Sequence, residues 1–219
     1  MGSAHNQETS AAFQNRNDCN TLVVNLYGGP GTGKSTGAAI ITGLLKANGI
    51  DAEYVSEVAK DKVWEENREA LSNQAYMFGS QYYRISRVLG KVDVVVTDSP
   101  LLLTFVYNHD ERLGNAFNAV ALNVATSYNT LEVLLQRVKK YNPNGRMQTE
   151  AESDEITKQI VSVLDRFRGG YMKATGDIAG YWEVFMEIAR RIGREDVLLP
   201  TYNSLVSVNK PFSAENQWK

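Results

Sequence analysis

From Thr21 onward, short β-branched apolar runs alternate with stretches whose apolar positions recur every three or four residues. That alternation predicts a parallel sheet covered on both faces by helices. Thr21 to Tyr27 reads as a first strand, and Lys34 to Asn48 as a helix closed by Gly49. Glu53 to Val55 gives a second strand. After a connector, Asn67 to Leu89 reads as one long helix carrying Leu71, Met77, Phe78, Tyr82 and Ile85 near helical spacing. Val92 to Thr97 is apolar enough for a central strand buried on both sides, and Leu131 to Leu135 has the same character. Thr149 and Glu152 make a capping box ahead of a helix face formed by Ile156, Ile160, Val163, Leu164 and Phe167. Tyr171 to Ala174 supplies a last strand and Tyr181 to Ile192 a closing helix. No internal repeat or low-complexity block interrupts the series.

Met1 to Asn20 is polar and aperiodic, which predicts a flexible leader over residues 1–20. One domain is expected over 21–192, with a tail over 193–219 that packs on the domain or extends from it. The chain of 219 residues is 43% apolar and 22% charged, ordinary values for a globular protein. A net charge of −2 gives no global attraction to polyanions, so any nucleic-acid contact must rest on a local basic patch. The single cysteine, Cys19, has no internal disulfide partner, and no paired histidines offer a zinc site. No apolar run approaches the ~20 residues of a membrane helix, and no signal peptide is visible. A soluble cytoplasmic protein without a membrane partner is expected.

Gly28-Gly29-Pro30-Gly31-Thr32-Gly33-Lys34-Ser35 fits the P-loop pattern G-x-x-x-x-G-K-[ST], placed between an apolar run and an amphipathic helix. Glycines allow the torsions that turn backbone N–H groups onto a triphosphate. The helix behind adds its own unsatisfied donors and positive dipole end. Lys34 is expected at the β- and γ-phosphates of ATP, Ser35 on Mg²⁺, and Thr36 near the α-phosphate. The competing reading is a glycine-rich turn with an accidental Lys-Ser, which the strand-before, helix-after context disfavours. The fold expected is therefore an α/β, three-layer P-loop NTPase sandwich with a central parallel sheet.

Asp98 follows the central strand directly, where a carboxylate completes the magnesium shell; the alternative is a turn aspartate before Ser99-Pro100. Glu57, just past the second strand, opens onto the same crevice as a candidate base for an attacking hydroxyl, or is a solvated glutamate near Lys60 and Lys62. Arg137, Lys139, Lys140 and Arg146 cluster in a short basic lid over about residues 137–150, with the two arginines best suited to phosphate. Gln74 and Gln81 share a helix face with Arg84 and Arg87 nearby, a candidate surface for the edge of a base. Trp64, Tyr76, Tyr82 and Tyr83 are expected to pack rather than to stack on a ligand. His109 reads as a surface residue, and Gly176-Asp177 as either a turn or a border of the adenine site.

The P-loop through Thr36, Glu57 to Asp61, Val92 to Leu103 and Lys140 to Arg146 together resemble phage-encoded P-loop kinases near the thymidylate and nicotinamide riboside kinases. Among these, the chain looks like the 5-hydroxymethyluridine DNA kinases. The resemblance covers Leu22 to Asp177. It implies ATP and magnesium at Lys34, Ser35 and Asp98, and lid roles for Arg137 and Arg146. The thymidylate-kinase Asp-Arg-Tyr or Asp-Arg-Phe is absent, because Asp98 is followed by Ser99 and Pro100. Three readings follow. The first is a kinase acting on 5-hydroxymethyluracil in DNA, whose base must leave the stack. The second is a kinase of a free nucleoside, nucleotide or riboside. The third is a P-loop ATPase or GTPase switch, for which Asn209-Lys210-Pro211-Phe212 lacks the last residue of the guanine-selective Asn-Lys-x-Asp.

Overall fold

All six residues of strand β1 (Leu22–Tyr27) are buried, so both of its faces need cover. The computed structural model, which describes residues 20–142 and 148–197, supplies that cover from two helical layers. In chain order β1 is followed by α1 (Lys34–Ala47), β2 (Ala52–Val55), α2 (Val58–Trp64), α3 (Arg68–Ser72), α4 (Gln74–Ser86) and β3 (Val94–Thr97). Then come α5 (Thr104–Tyr107), α6 (Gly114–Thr126), β4 (Thr130–Gln136), α7 (Glu150–Phe167), β5 (Met172–Thr175) and α8 (Ile178–Arg191).

The five strands form one sheet in the order β2-β3-β1-β4-β5, every pair parallel. The chain builds β2 and β3 on one side of β1, then crosses to the other side for β4 and β5. The carboxyl end of β1 thus lies where the winding reverses, the place at which such sheets open a ligand crevice. Helices α1 and α8 cover one face, bringing Ala38, Ile41, Val184, Phe185 and Ile188 onto Leu22, Val24 and Leu26. Alternate residues Val23 and Tyr27 face the second layer, where α4 to α7 contribute Phe78, Val106, Ala121, Ile160 and Leu164. This is the three-layer α/β sandwich expected.

The departures have local causes. The expected helix from Asn67 to Leu89 is broken, because Asn67 and Asn73 each act as an N-cap, accepting from the backbone N–H of Ala70 and Tyr76. The connector after β2 contains α2. The periodicity names no element between Pro100 and Leu131, yet α6 lies there; Gly114 and three asparagines dilute its period, and its buried side chains are only Ala121 and Ala125. Strand β3 starts at Val94, after Asp93, whose carboxylate accepts from the Asp51 N–H. The capping box of Thr149 and Glu152 is present at α7. Among the described residues no helix is long and apolar enough to cross a membrane. The leader, but for Asn20, and the tail from residue 198 lie outside the described residues, as does Arg146.

Candidate active site

The glycine-rich segment turns from β1 into α1 through backbone conformations that exclude side chains. Gly28 and Gly33 have φ of +141° and +95°. A Cβ on Gly33 would lie 2.3 Å from the Tyr181 hydroxyl, which donates to the Gly33 carbonyl at 2.9 Å. A Cβ on Gly176 would meet the Thr32 carbonyl at 2.0 Å. Gly176 therefore backs the loop, while Asp177 caps α8 by accepting from the Gly180 N–H. That pair has a supporting role that neither of its sequence readings included.

Helix α1 begins with no side-chain cap at Gly33 and no acid in its first turn. Its first N–H groups and positive dipole end are suited to an anion. Lys34 folds back over the loop, its ammonium donating to the carbonyls of Gly28 at 2.7 Å and Gly29 at 3.2 Å. Ser35 and Thr36 follow in the same first turn.

Asp98 stands at the end of β3 and is only 1% exposed. Its Oδ2 accepts from the Tyr54 hydroxyl at 2.8 Å, and its Oδ1 has no hydrogen-bond partner. Strand register explains the contact. Tyr54 of β2 lies opposite Val96 of β3, so Asp98, two residues on, is its diagonal neighbour on the same face. A buried carboxylate oxygen without a donor is costly unless something positive meets it. With Ser35 it gives two hard oxygen donors, a fit for a divalent cation that takes its remaining ligands from phosphate and water. Among the described residues no group of three His, Cys, Asp or Glu could cage a metal alone.

Glu57 precedes α2. Burial pushes its carboxyl above the usual carboxylate range; the Lys34 ammonium pulls it partly back, and Asp98 adds to the rise. Tyr107, at the end of α5, is pushed up to about 12 by burial and by the charge of Glu57. Lys34, Glu57, Asp98 and Tyr107 thus share one electrostatic neighbourhood. Tyr54 and Tyr107 have no counterpart among the expected site residues. For Tyr54 the available signal was its place in β2, three residues before Glu57.

On the other flank, Arg137 leaves β4 and pairs with Asp154 and, at 3.5 Å, Glu150, both on α7. Ser153 of α7 donates to the Pro30 carbonyl at 2.7 Å, and the Gly29 N–H donates to the Thr157 hydroxyl at 3.1 Å. The segment expected as a lid therefore meets the loop through α7, and Ser153 and Thr157 are contacts that sequence reasoning missed. Lys139 and Lys140 are exposed.

The base-reading face resolves differently. Gln81 is 4% exposed, and both ends of its amide are engaged, Oε1 by the Val58 N–H and Nε2 by the Thr97 hydroxyl. It ties α4 to α2 and β3, which corrects its expected role at a base edge. Arg84 donates to the Ser56 carbonyl and hydroxyl and pairs with Asp61, and Gln74 donates to the Leu71 carbonyl. Tyr82 stacks on Phe78, but Trp64, Tyr76 and Tyr83 are exposed, against the expectation that they pack. Tyr76, Tyr83, Arg84 and Arg87 line a groove of about 560 Å³ with Lys62 of α2. His109 is exposed, as read.

The sequence model of the family described as AAA domain matches residues 23–180. No curated protein matches the chain. Among the solved structures that resemble it are two that do so over 81% of its length. One is the crystal structure of NadR protein in complex with NAD and AMP-PNP, with a TM-score of 0.61 and 17% identity. The other is NadR protein in complex with NR, with a TM-score of 0.62 and 18% identity. The chain spans 51% and 53% of those two chains, about half their length, and at such identity the likeness is one of fold. The family match begins in β1, takes in the glycine loop, Asp98 and α7, and ends in the first turn of α8; the chain belongs to the AAA domain family.

Proposed function

We propose that this protein is an ATP- and magnesium-dependent kinase that transfers the γ-phosphate to a hydroxyl of a small, nucleoside-like acceptor. The observation that carries the reading is the meeting, at the carboxyl ends of β1, β2 and β3, of Lys34, Ser35, a buried Asp98 with an unpartnered oxygen, and a Glu57 whose carboxyl burial pushes above the usual range. The loop and the start of α1 bind the phosphates through backbone donors. Lys34 exchanges the carbonyls of Gly28 and Gly29 for phosphate oxygens. Magnesium held by Ser35 and Asp98 would neutralise phosphate charge. Glu57 accepts the proton of the acceptor hydroxyl, for which its raised pKa suits it. Arg137, and Arg146 beyond the described residues, stabilise charge on the migrating group.

The complexes of the fold neighbours, with NAD, AMP-PNP and NR, favour a small acceptor over a base in DNA. Nothing comparable supports 5-hydroxymethyluracil in DNA as the acceptor. The test is to incubate the protein with γ-labelled ATP, magnesium and three separate acceptors: nicotinamide riboside, a panel of free nucleosides and nucleotides, and duplex DNA containing 5-hydroxymethyluracil. Label in a small molecule is the expected result. Label only in DNA would move the acceptor to the polymer. Label only in inorganic phosphate would replace the kinase with a P-loop ATPase.

A further inference from the structure

Tyr54 occupies a position that joins two groups with the same task. A phenol carries one hydrogen and otherwise accepts. Tyr54 commits that hydrogen to Asp98 Oδ2 at 2.8 Å, which leaves it only acceptor capacity, and the Ser35 hydroxyl lies close enough to act on the same phenol. A serine hydroxyl also has a single hydrogen, so when Ser35 gives it to Tyr54 the serine presents only lone pairs elsewhere. Asp98, with Oδ2 occupied, keeps Oδ1, the oxygen that has no partner in the buried site. The phenol's hydrogen bond runs to Asp98, and its lone pairs are what it can offer the Ser35 hydroxyl beside it.

The phenol is well fixed for this purpose. Its strand is in register with β3, and its ring packs on the core beneath α1, the helix that carries Ser35.

We infer that Tyr54 is a positioning residue for the divalent cation: its hydroxyl holds Asp98 by Oδ2 so that Oδ1 turns bare lone pairs toward the metal, beside the Ser35 hydroxyl. Groups that hold metal ligands from behind are worth about 10- to 100-fold in metal affinity. The inference rests on the reading of Ser35 and Asp98 as the ligands, and it extends that reading to the residue that holds Asp98 from behind.

The test is equilibrium binding of a fluorescent ATP analogue to the full chain, with EDTA and with added Mg²⁺, backed by Mn²⁺ titration followed by electron paramagnetic resonance. Tyr54→Phe keeps the ring and removes only the oxygen. Its metal-free affinity is expected to stay within about twofold of wild type, while the gain on adding Mg²⁺ falls by about tenfold or more and Mn²⁺ binds correspondingly weaker. Asp98→Asn is expected to lose the gain as well. A Tyr54→Phe protein with the full wild-type gain, beside an Asp98→Asn protein that has lost it, overturns the role of Tyr54 and leaves the site standing. Loss of metal-free binding in Tyr54→Phe also overturns it, because the residue would then serve the fold. Wild-type protein that binds the analogue without any gain from Mg²⁺ removes the ligand assignment itself.

Discussion

The two flanks of the glycine loop are built on different principles. On the β2–β3 flank, Tyr54, Glu57 and Asp98 sit at or just beyond strand ends, and strand register fixes where Tyr54 and Asp98 stand. That flank holds electrostatic tension: a carboxyl pushed upward by burial and a buried carboxylate oxygen with no donor. On the α7 flank the groups satisfy one another. Arg137 has Asp154 and Glu150, Ser153 has Pro30, and Thr157 has Gly29. Unsatisfied and strained groups thus gather on the β2–β3 flank, where a functional site is proposed, and paired contacts on the flank that meets the loop through α7.

The largest effect is expected where both flanks converge. Lys34→Ala should lower phosphoryl transfer by about a thousandfold, the scale of losing a charge-stabilising donor, with the far-ultraviolet circular dichroism unchanged. Labelled-ATP initial rates measure it, and a rate near wild type would break the account at its root.

Glu57→Gln comes next and tests the tension on the β2–β3 flank. Transfer is expected to fall by about a hundredfold or more, as for loss of a general base. The base acts ionised, so the wild-type rate should decline as pH drops through a pKa that lies above the ~4.3 of an ordinary glutamate. That acid limb should be missing in the variant. Stability moves the other way. A carboxyl whose folded pKa is raised burdens the fold when it is ionised, and the burden lifts as pH falls through that pKa. Glu57→Gln should therefore melt higher than wild type at neutral pH, with the difference shrinking in acid. Equal melting at every pH would show that burial does not strain this group.

Arg137→Ala sharpens the contrast from the α7 side. Turnover should fall by about tenfold to a hundredfold while the melting temperature barely moves, since its carboxylate partners are largely solvent-exposed and such pairs contribute little. The smallest effect belongs to Thr157→Val, which removes the acceptor of the Gly29 N–H and should cost about 1 kcal/mol of stability with saturated turnover nearly intact. If Thr157→Val instead abolished turnover, bracing and chemistry would not be separable as drawn here.

Much of this was legible in the sequence because it depends on short-range patterns. Gly28 to Ser35 is a contiguous motif, Asp98 ends a run that only a buried strand explains, and Thr149 with Glu152 cap a helix within three residues of each other. What was hidden depends on distance along the chain. Tyr54 meets Asp98 across 44 residues, and Ser153 meets Pro30 across 123, through register and helix packing that no local window contains. Gln81 misled for a related reason: it does share a face of α4 with Gln74, but that face turns inward, and Gln81 meets Val58 and Thr97 there. Helix α6 was obscured by its own composition, because its buried positions are only alanines and leave little apolar contrast with the rest.

The central claim is that the loop around Lys34 grips a nucleoside triphosphate together with magnesium. Isothermal calorimetry of a non-hydrolysable ATP analogue with Mg²⁺, on wild type and Lys34→Ala, addresses it directly. The account predicts saturable one-to-one binding to wild type, weakened by about a hundredfold or more in the variant. No binding to wild type, or equal binding to both proteins, would contradict it.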